Sequence, residues 1–405
     1  MKSRVWVPFA FVLVFAALAG TFAVARDKPL LIDENMHFAQ IQKFYSKDFT
    51  PVPNLAMTRG YHAVIAAFAR VAGRPTPSFV RLVSFAAALA VFFIFFLCAR
   101  TLAPGEEALR TLQFIACPLV LPFTFLIYTD LFSLGFVLAV FWAVRRREYA
   151  AAGVLGLAAL VARQTNVIWI LFMIVWSFLD ERKAGHFDFR EWAAHARKTA
   201  WLWADVVLFG VFVVWNRGVA VGDRSVHPLA VLSAQGLVFG LAAFGFLAAP
   251  LAVDHGAVLL RRLKAYPLVL CVWPLLWIAF AAGVKHPYNF FSQIQGVWVL
   301  RNLVLAAVSN HILWLVCYTG LAFWGALILW AMPLGRRADY IWLPISAVFL
   351  VLHWLVEPRY LIPPIAFWML FRKKGSRLAE TLLFLFWLTS AVWITIGVID
   401  RRWIP

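Results

Sequence analysis

Long apolar segments, separated by short polar connections, run along almost the whole chain of 405 residues. A helix needs about 20 apolar residues to cross the hydrocarbon core of a bilayer, because each residue rises about 1.5 Å. The segments predict an all-α polytopic membrane protein with about thirteen transmembrane helices. These predicted helices cover residues 5–25, 78–99, 110–127, 130–144, 149–162, 165–179, 200–216, 229–250, 266–284, 311–332, 340–356, 360–371 and 380–399.

The composition excludes a soluble globular protein. Hydrophobic residues make up 63% of the chain and charged residues 14%, whereas soluble domains have about 45–50% and about 25%. A net charge of +18 would suggest nucleic-acid binding in a soluble protein, but no basic patch here alternates with base-stacking aromatic residues. We therefore expect the lipid bilayer, and no nucleic acid, as a partner.

Basic clusters on alternate connections predict the orientation. The positive-inside rule assigns them to the cytoplasm, and they include Arg145 to Arg147, Arg261 with Arg262, Arg336 with Arg337, and Arg372 to Lys374. The first loop, residues 26–77, is then outside. We expect it to carry two short amphipathic helices, over 34–46 and 60–71, within one transmembrane domain that spans residues 1–405.

The first apolar segment has two interpretations. Ala23-Val24-Ala25 resembles the cleavage site of a signal peptide. The apolar run before it, however, has the length of a transmembrane helix, so we favour an uncleaved first span. Both interpretations leave the loop that follows on the outer side.

Polar residues of mixed charge fall on the connections that this orientation assigns to the outer face, while the inner connections carry mostly Arg and Lys. Charged residues near lipid are costly and mark functional sites by default. We therefore predict an active site on the outer face. The motifs are Asp33-Glu34-Asn35-Met36-His37, Tyr128-Thr129-Asp130, Arg163-Gln164-Thr165-Asn166, Gly222-Asp223-Arg224-Ser225-Val226-His227, Lys285-His286-Pro287-Tyr288 and Glu357-Pro358-Arg359-Tyr360.

A few carboxylates among several cations at a membrane surface suit an anionic, lipid-linked substrate. If the donor is a sugar on a polyprenyl phosphate, the leaving phosphate needs no strong general acid. Cations must stabilise the charge that develops on it. One carboxylate must take the proton of the acceptor hydroxyl, an effect of about 10²–10⁴-fold. The outer connections contain this set of groups.

Asp33 is the first candidate for this base and Glu34 the second. Adjacent residues at a helix start point in different directions, so we expect one to face the substrate. The other would cap the helix or pair with an Arg. The alternative is that Asp33 itself only caps the helix over 34–46.

Arg163 and Asn166 share a helical face, and Arg163 would either bind a phosphate or pair with Asp33, Asp130 or Asp223. Asp130 would orient the donor or cap a helix.

In the fourth motif, Asp223 and Arg224 are substrate contacts or parts of a solvated turn. His227 and His286, each before a Pro, suit phosphate contact or a structural hydrogen bond better than a metal. Arg359 is a candidate phosphate ligand, with a salt bridge to Glu357 as the alternative. The remaining substrate-binding candidates are His37, Tyr128, Gln164, Asn166, Tyr288, Glu357 and Tyr360.

The sequence contains no P-loop, dinucleotide fingerprint or HExxH motif, which argues against ATP-driven, nicotinamide and zinc-protease chemistry. We expect no metal and no cofactor.

The ordered set of motifs between about residues 33 and 360 resembles the eukaryotic dolichyl-phosphate-glucose alpha-1,2-glucosyltransferase family. The resemblance rests on Asp33-Glu34 with His37 and Gln40, Tyr128-Thr129-Asp130, Arg163-Gln164-Thr165-Asn166 before Trp169, Val221-Gly222-Asp223-Arg224-Ser225 before His227, His286-Pro287-Tyr288, and Arg359-Tyr360.

The resemblance implies a GT-C fold and inverting transfer of a sugar, glucose in that family, from a polyprenyl phosphate. It also implies an acidic base in the first outer loop and no required metal. Two departures leave the acceptor open. Met57-Thr58-Arg59-Gly60-Tyr61 is only a loose counterpart of a Thr/Pro-rich stretch that ends in Gly-Leu-Tyr. Asn289-Phe290-Phe291-Ser292-Gln293 replaces a polar run.

The sequence therefore predicts a membrane hexosyltransferase that acts on a lipid-linked or surface glycan. Its Ala/Arg-rich usage suggests a bacterial homologue in the inner membrane with an external site; a eukaryotic enzyme would have a luminal site in the endoplasmic reticulum. A transporter or flippase of lipid-linked sugars is the main alternative. A non-catalytic subunit with the same fold is a further one, which the acid at position 33 disfavours.

Overall fold

A computed structural model describes residues 6–53, 55–182, 188–222, 224, 232–283, 286–290, 293–294 and 296–404. They form two compact units, one of residues 1–115 and 120–225 and the other of residues 116–119 and 226–405. Both are largely helical.

The first unit contains helices α1 to α10. A buried apolar cluster joins α2, α3, α4 and α6 of this unit, and it includes Phe38, Ile41, Tyr61, Ile65 and Val80. The helices are α1 (Trp6–Ala25), α2 (Ile32–Tyr45), α3 (Gly60–Ala72), α4 (Pro77–Leu102), α5 (Glu107–Ile115), α6 (Thr129–Arg145), α7 (Tyr149–Ala162), α8 (Val167–Glu181), α9 (Phe189–Lys198) and α10 (Ala200–Asn216), with 3-10 turns at Pro122–Phe125 and Gln164–Asn166.

The second unit contains α11 to α18 and a small sheet in which β1 pairs with β2 antiparallel and β2 with β3 parallel. Its apolar core includes Val238, Phe280, Leu305 and Ala322. The elements are α11 (Ala234–Leu247), α12 (Ala252–Ala265), α13 (Val272–Ala282), β1 (Gln293–Ile294), β2 (Val297–Val299), α14 (Leu300–Asn310), α15 (Ile312–Ala331), α16 (Trp342–Val351), α17 (Ile362–Phe371), α18 (Arg377–Ile399) and β3 (Trp403–Ile404), with 3-10 turns at Ala249–Leu251, Pro267–Cys271, Pro287–Phe290, Ala338–Ile341 and Pro358–Leu361.

Within the described residues, four helices are long and apolar enough to cross a membrane: Pro8–Ala25, Pro77–Leu102, Ile312–Ala331 and Arg377–Ile399. The number rises to six if two bent pairs, Phe189–Lys198 with Ala200–Asn216 and Ala234–Leu247 with Ala249–Ala265, each count as one span. The chain is therefore an integral membrane protein. The predicted count of thirteen spans is not confirmed, because many predicted segments form helices shorter than the roughly 20 residues that a span requires.

The helix predicted over residues 110–127 is wrong in its extent. Helix α5 ends at Ile115, and a 3-10 turn follows at Pro122–Phe125. Pro118 and Pro122 lack the N–H that a continuing helix needs, and each disfavours helical geometry in the residue before it. The two short helices predicted within residues 26–77 do form, as α2 and α3.

Candidate active site

Glu34 is held by four hydrogen bonds at the start of α2. Its side chain is fully buried. Oε1 accepts from Arg81 Nε at 2.9 Å and from the Ile127 amide at 2.9 Å. Oε2 accepts from Arg81 Nη2 at 2.6 Å and from the Leu31 amide at 2.9 Å. Both carboxylate oxygens are thus occupied in this fold.

Arg81 lies on α4 and ties down the segment between α1 and α2. Besides Glu34, its guanidinium donates to the carbonyls of Ala25 at 3.0 Å, Arg26 at 3.3 Å, Lys28 at 2.5 Å and Pro29 at 3.3 Å. A planar guanidinium with five N–H donors suits such multiple recognition. Arg81 thereby fixes where α2 begins.

Asp33 occupies a different environment from its neighbour. Successive residues of an α-helix are rotated by about 100°, so its side chain leaves α2 in another direction than that of Glu34. Asp33 is partly exposed, whereas Glu34 is buried. His37 follows Asp33 by one helical turn and lies on the same side of α2.

His37 sits in a buried aromatic cluster. Its Nδ1 lies 2.9 Å from Nε2 of His62, on α3, and the two rings are stacked with centroids 5.2 Å apart. The rings of Tyr61 and Tyr128 meet His37 edge-on at 6.2 Å and 5.7 Å. The start of α2 therefore lies beside α3 and beside the segment that leads into α6.

Asp130, in the first turn of α6, forms an ion pair with Arg163 at the end of α7. The Asp130 side chain is buried, and among the described residues its second oxygen, Oδ2, has no hydrogen-bond partner. Asn166 donates to Ser133 Oγ and to the Ala159 carbonyl, both at 2.7 Å. Asp130 is one of the three acids that the sequence suggested as partners of Arg163, and the described residues contain this pair.

Gln164 holds the loop before α3. Its Oε1 accepts from the Thr58 amide at 2.9 Å, and its Nε2 donates to the Ala56 and Val219 carbonyls at 2.8 Å and 3.1 Å. Gly222 approaches the same loop so closely that an added Cβ would lie 2.0 Å from the Leu55 oxygen. These contacts explain why a glutamine occupies position 164 and a glycine occupies position 222.

Arg224 donates to the backbone oxygen of Asn216 and, at 3.1 Å, to its Oδ1. The guanidinium thus helps to hold the end of α10. The candidates Asp223 and His227 lie outside the described residues.

In the second unit, Glu357 lies between two arginines. Its Oε1 pairs with Arg301, and its Oε2 pairs with Arg359 Nε at 3.0 Å. All three side chains are about 9% exposed. The salt bridge between Glu357 and Arg359, which the sequence suggested as an alternative, is present. Because Arg301 also pairs with Glu357, the three side chains together carry one net positive charge.

A hydrogen-bond chain connects this group to His286. Arg301 Nε donates to Asn302 Oδ1 at 2.9 Å, and Asn302 Nδ2 donates to the Tyr288 carbonyl at 3.0 Å. The Tyr288 amide donates to His286 Nδ1 at 3.1 Å. A neutral imidazole whose Nδ1 accepts carries its hydrogen on Nε2, so His286 is held as a hydrogen-bond donor.

Tyr360 is buried, and its ring lies 4.1 Å from that of His353. The Nδ1 of His353 is 2.6 Å from the Phe349 carbonyl. Tyr288, by contrast, is 43% exposed.

The candidates fall into two groups, one in each compact unit. The first contains Asp33, Glu34, His37, Tyr128, Asp130, Arg163, Gln164, Asn166 and Arg224; the second contains His286, Tyr288, Glu357, Arg359 and Tyr360.

His62, Arg81 and Arg301 contact these groups and are not among the sequence candidates. Each of them is an ionisable residue within a largely apolar segment, and this is the sequence signal that could have identified them. Such residues are costly in a membrane protein and seldom lack a partner. Among the described residues, no group of three or more His, Cys, Asp or Glu side chains has the geometry to hold a metal ion.

A sequence model of the DIE2/ALG10 family matches residues 28–197 and 188–370. The chain is 29% identical over 136 residues to the Dol-P-Glc:Glc(2)Man(9)GlcNAc(2)-PP-Dol alpha-1,2-glucosyltransferase of Debaryomyces hansenii, a match that covers 29% of each chain. It is 25% identical to the Drosophila melanogaster protein of the same name, over 90% of this chain and 87% of that one. The match with the Debaryomyces protein thus spans less than a third of that relative's length.

The crystal structure of ArnT from Cupriavidus metallidurans bound to undecaprenyl phosphate is also similar. The TM-score is 0.46 with 12% identity, over 98% of this chain and 78% of that one. Because the family match covers most of the chain, this protein belongs to the DIE2/ALG10 family.

Proposed function

We propose that the protein is an inverting membrane glycosyltransferase with a GT-C fold, which moves a hexose from a polyprenyl-phosphate donor to a glycan hydroxyl. The observation that carries this proposal is the difference in environment between two adjacent acids at the start of α2. Glu34 is immobilised by Arg81 and two backbone amides, while Asp33 remains partly exposed on the side that carries His37.

In the proposed reaction, Asp33 takes the proton of the acceptor hydroxyl as that oxygen attacks the anomeric carbon. The bond between this carbon and the phosphate oxygen breaks, and the lipid phosphate departs with the bonding electrons. Attack from the side opposite to the leaving group inverts the configuration. The phosphate is stable as an anion, so the reaction needs neither a strong acid nor a cofactor.

Asp33 suits the role of base better than Glu34. A base must reach the acceptor hydroxyl directly or through one water. Both Glu34 oxygens already accept two hydrogen bonds each, and taking a proton would disrupt a buried ion pair. Asp33 is less buried than Glu34.

Asp130 and Arg163 provide a second pair of groups in the same unit. The buried Oδ2 of Asp130 can accept a hydrogen bond from a sugar hydroxyl, while its Oδ1 stays with Arg163. Arg163 adds positive charge for an anionic substrate group. We assign Asp130 to sugar orientation and Arg163 to charge stabilisation.

The donor sugar is proposed to be glucose, because the relatives named above are Dol-P-Glc glucosyltransferases. The acceptor is proposed to be a lipid-linked or surface glycan on the outer face of the membrane. His37, Tyr128, Asn166, His286, Tyr288 and Tyr360 remain proposed substrate contacts, and so do Asp223, Arg224 and His227.

The test is a transfer assay with purified protein in detergent. The donors are dolichyl and undecaprenyl phosphates that carry radiolabelled glucose, mannose or galactose, and a crude lipid and glycan extract supplies the acceptor. We expect label to move from the glucosyl donor only, without added metal. If no donor releases its label but lipid-linked sugar crosses the bilayer of proteoliposomes, the protein is a flippase and the proposal fails.

Replacing Arg359 by Ala should weaken donor binding by about 10- to 100-fold, the size of one hydrogen bond to a charged group. The variant should fold, because Glu357 keeps its contact with Arg301. Binding of dolichyl-phosphate glucose is measured by competition with a fluorescent analogue. Arg402→Ala, which removes an exposed partner of Asp400, is the control. Equal affinities of Arg359→Ala and the control would remove Arg359 from the phosphate site.

A further inference from the structure

Helix α9 carries two arginines on one exposed face. Arg190 and Arg197 are seven residues apart, close to two helical turns, so their side chains leave α9 on the same side and about 10 Å apart along its axis. Both are exposed, and so is Ala194 between them. Within the part of the chain that the structure describes, neither arginine side chain forms a hydrogen bond or an ion pair.

The opposite face of α9 is fixed to α8. His195 on this face is buried, and its Nε2 lies 3.1 Å from Ser177 Oγ and 3.2 Å from the Ile174 carbonyl oxygen. The ring of Trp192 meets that of Phe178 edge-on, with centroids 4.9 Å apart. Because these contacts hold α9 in place, the two arginines on its other face are held at a defined position.

The described acids of α8 and α9 already have partners. Asp188 precedes α9 and caps it, since its side chain accepts from the Arg190 amide at 2.8 Å. The ion pairs are Asp180 with Arg145 at 2.7 Å, Glu181 with Lys198 at 3.4 Å, and Glu191 with Arg182 at 3.9 Å. An anion that neutralises Arg190 and Arg197 therefore has to come from outside these helices.

The bend between α9 and α10 places α9 along the membrane surface. The two helices are bent by 80°. Helix α10 has 17 residues and rises about 26 Å, close to the thickness of the hydrocarbon core. A helix nearly perpendicular to a spanning helix lies close to the membrane plane. The two arginines then stand at the level of the lipid head groups, as the cations of interfacial helices do.

Helix α10 presents an exposed apolar stripe that begins just after α9. Six large apolar side chains, each 50–81% exposed, follow one another along this stripe at helical spacing. They are Trp201, Val207, Leu208, Val211, Val214 and Trp215. A lipid at the bend can thus place its head group on α9 and its acyl chains on α10, whereas a free phosphate would leave the stripe unused.

We propose that Arg190 and Arg197 bind the phosphate of an anionic phospholipid of the bilayer, whose acyl chains lie along the exposed stripe of α10. A guanidinium suits phosphate oxygens because it can donate two parallel hydrogen bonds to them. Phosphatidylglycerol carries a net negative charge that phosphatidylcholine lacks, so the site distinguishes the two lipids. The inference does not depend on the sugar-transfer reaction.

The lipid selectivity of the full-length protein tests this inference. The protein in detergent is offered equimolar phosphatidylglycerol and phosphatidylcholine with identical acyl chains, and the bound lipids are counted by native mass spectrometry. We expect Arg190→Gln/Arg197→Gln to weaken phosphatidylglycerol binding about 25-fold, or about fivefold for each cation, and to leave phosphatidylcholine binding unchanged. Thermal unfolding without added lipid should also be unchanged, because both arginines are exposed.

Arg100→Gln/Arg261→Gln is the matched control. It removes the same charge from two exposed arginines, on α4 and α12, that form no ion pair within the described part of the chain. We expect this double variant to bind phosphatidylglycerol as the unmodified protein does. An equal loss in both double variants would assign the effect to net charge and overturn the proposal. Equal binding of the two lipids by the unmodified protein would overturn it as well.

A soluble competitor distinguishes a lipid site from a site for free anions. Inorganic phosphate at millimolar concentration should not displace phosphatidylglycerol from the unmodified protein, because it has no acyl chains to contact α10. Displacement that requires Arg190 and Arg197 would identify a site for free phosphate and would refute the assignment to a lipid.

Discussion

Replacing Asp33 by Asn should lower the turnover number by about 10²–10⁴-fold, the usual contribution of a general base. The amide has nearly the shape of the carboxylate but cannot take a proton from the acceptor hydroxyl. Donor affinity should change little, because the base acts on the acceptor. The measurements are single-turnover transfer from labelled dolichyl-phosphate glucose and equilibrium binding of the same donor.

Asp48→Asn provides the matched control for this substitution. Asp48 is an exposed acid just beyond the end of α2, and hydrogen bonds from Thr50 and Lys43 lower its pKa to about 2. The Asp48→Asn substitution removes the same charge close to the same helix, and we expect it to leave the turnover number unchanged. If Asp33→Asn turns over as fast as Asp48→Asn, then Asp33 only contributes to the helix start and the base lies elsewhere, with Glu34 or Asp130 next.

The positions of most helices could be predicted from the sequence because hydrophobicity is a local property. Helix α2 was expected over residues 34–46 and forms over Ile32–Tyr45. Helix α4 was expected over 78–99 and forms over Pro77–Leu102. The number of membrane spans could not be predicted in the same way. Hydrophobicity identifies an apolar segment but does not determine how many of its residues form one unbroken helix.

The contacts of the candidate residues depend on residues far away in the chain. Glu34 meets Arg81 across 47 positions, and His37 meets His62 across 25. The adjacent acids were expected to have different roles, with one of them capping a helix or pairing with an Arg. Their spacing alone could not assign the roles. Glu34 pairs with Arg81, because Arg81 lies on the side of α2 to which Glu34 points.

The ion pair between Glu34 and Arg81 should contribute to the stability of the first unit. Arg81→Met removes the cation but leaves the buried Glu34 carboxylate, and four backbone carbonyls also lose a donor. Breaking one side of a buried pair typically costs about 3–5 kcal/mol. We expect a loss of this size in the free energy of unfolding, measured by denaturant titration in detergent with tryptophan fluorescence.

The double variant Arg81→Met/Glu34→Gln distinguishes a buried charge from a loss of packing. Removing both charges should restore part of the stability, because the main cost in Arg81→Met is an unpaired charge rather than missing volume. Arg402→Met, which breaks an exposed pair, should cost less than about 1 kcal/mol. If the double variant is less stable than Arg81→Met, then packing of Arg81 rather than neutralisation of Glu34 holds the start of α2. The division of roles between Glu34 and Asp33 would then need another cause.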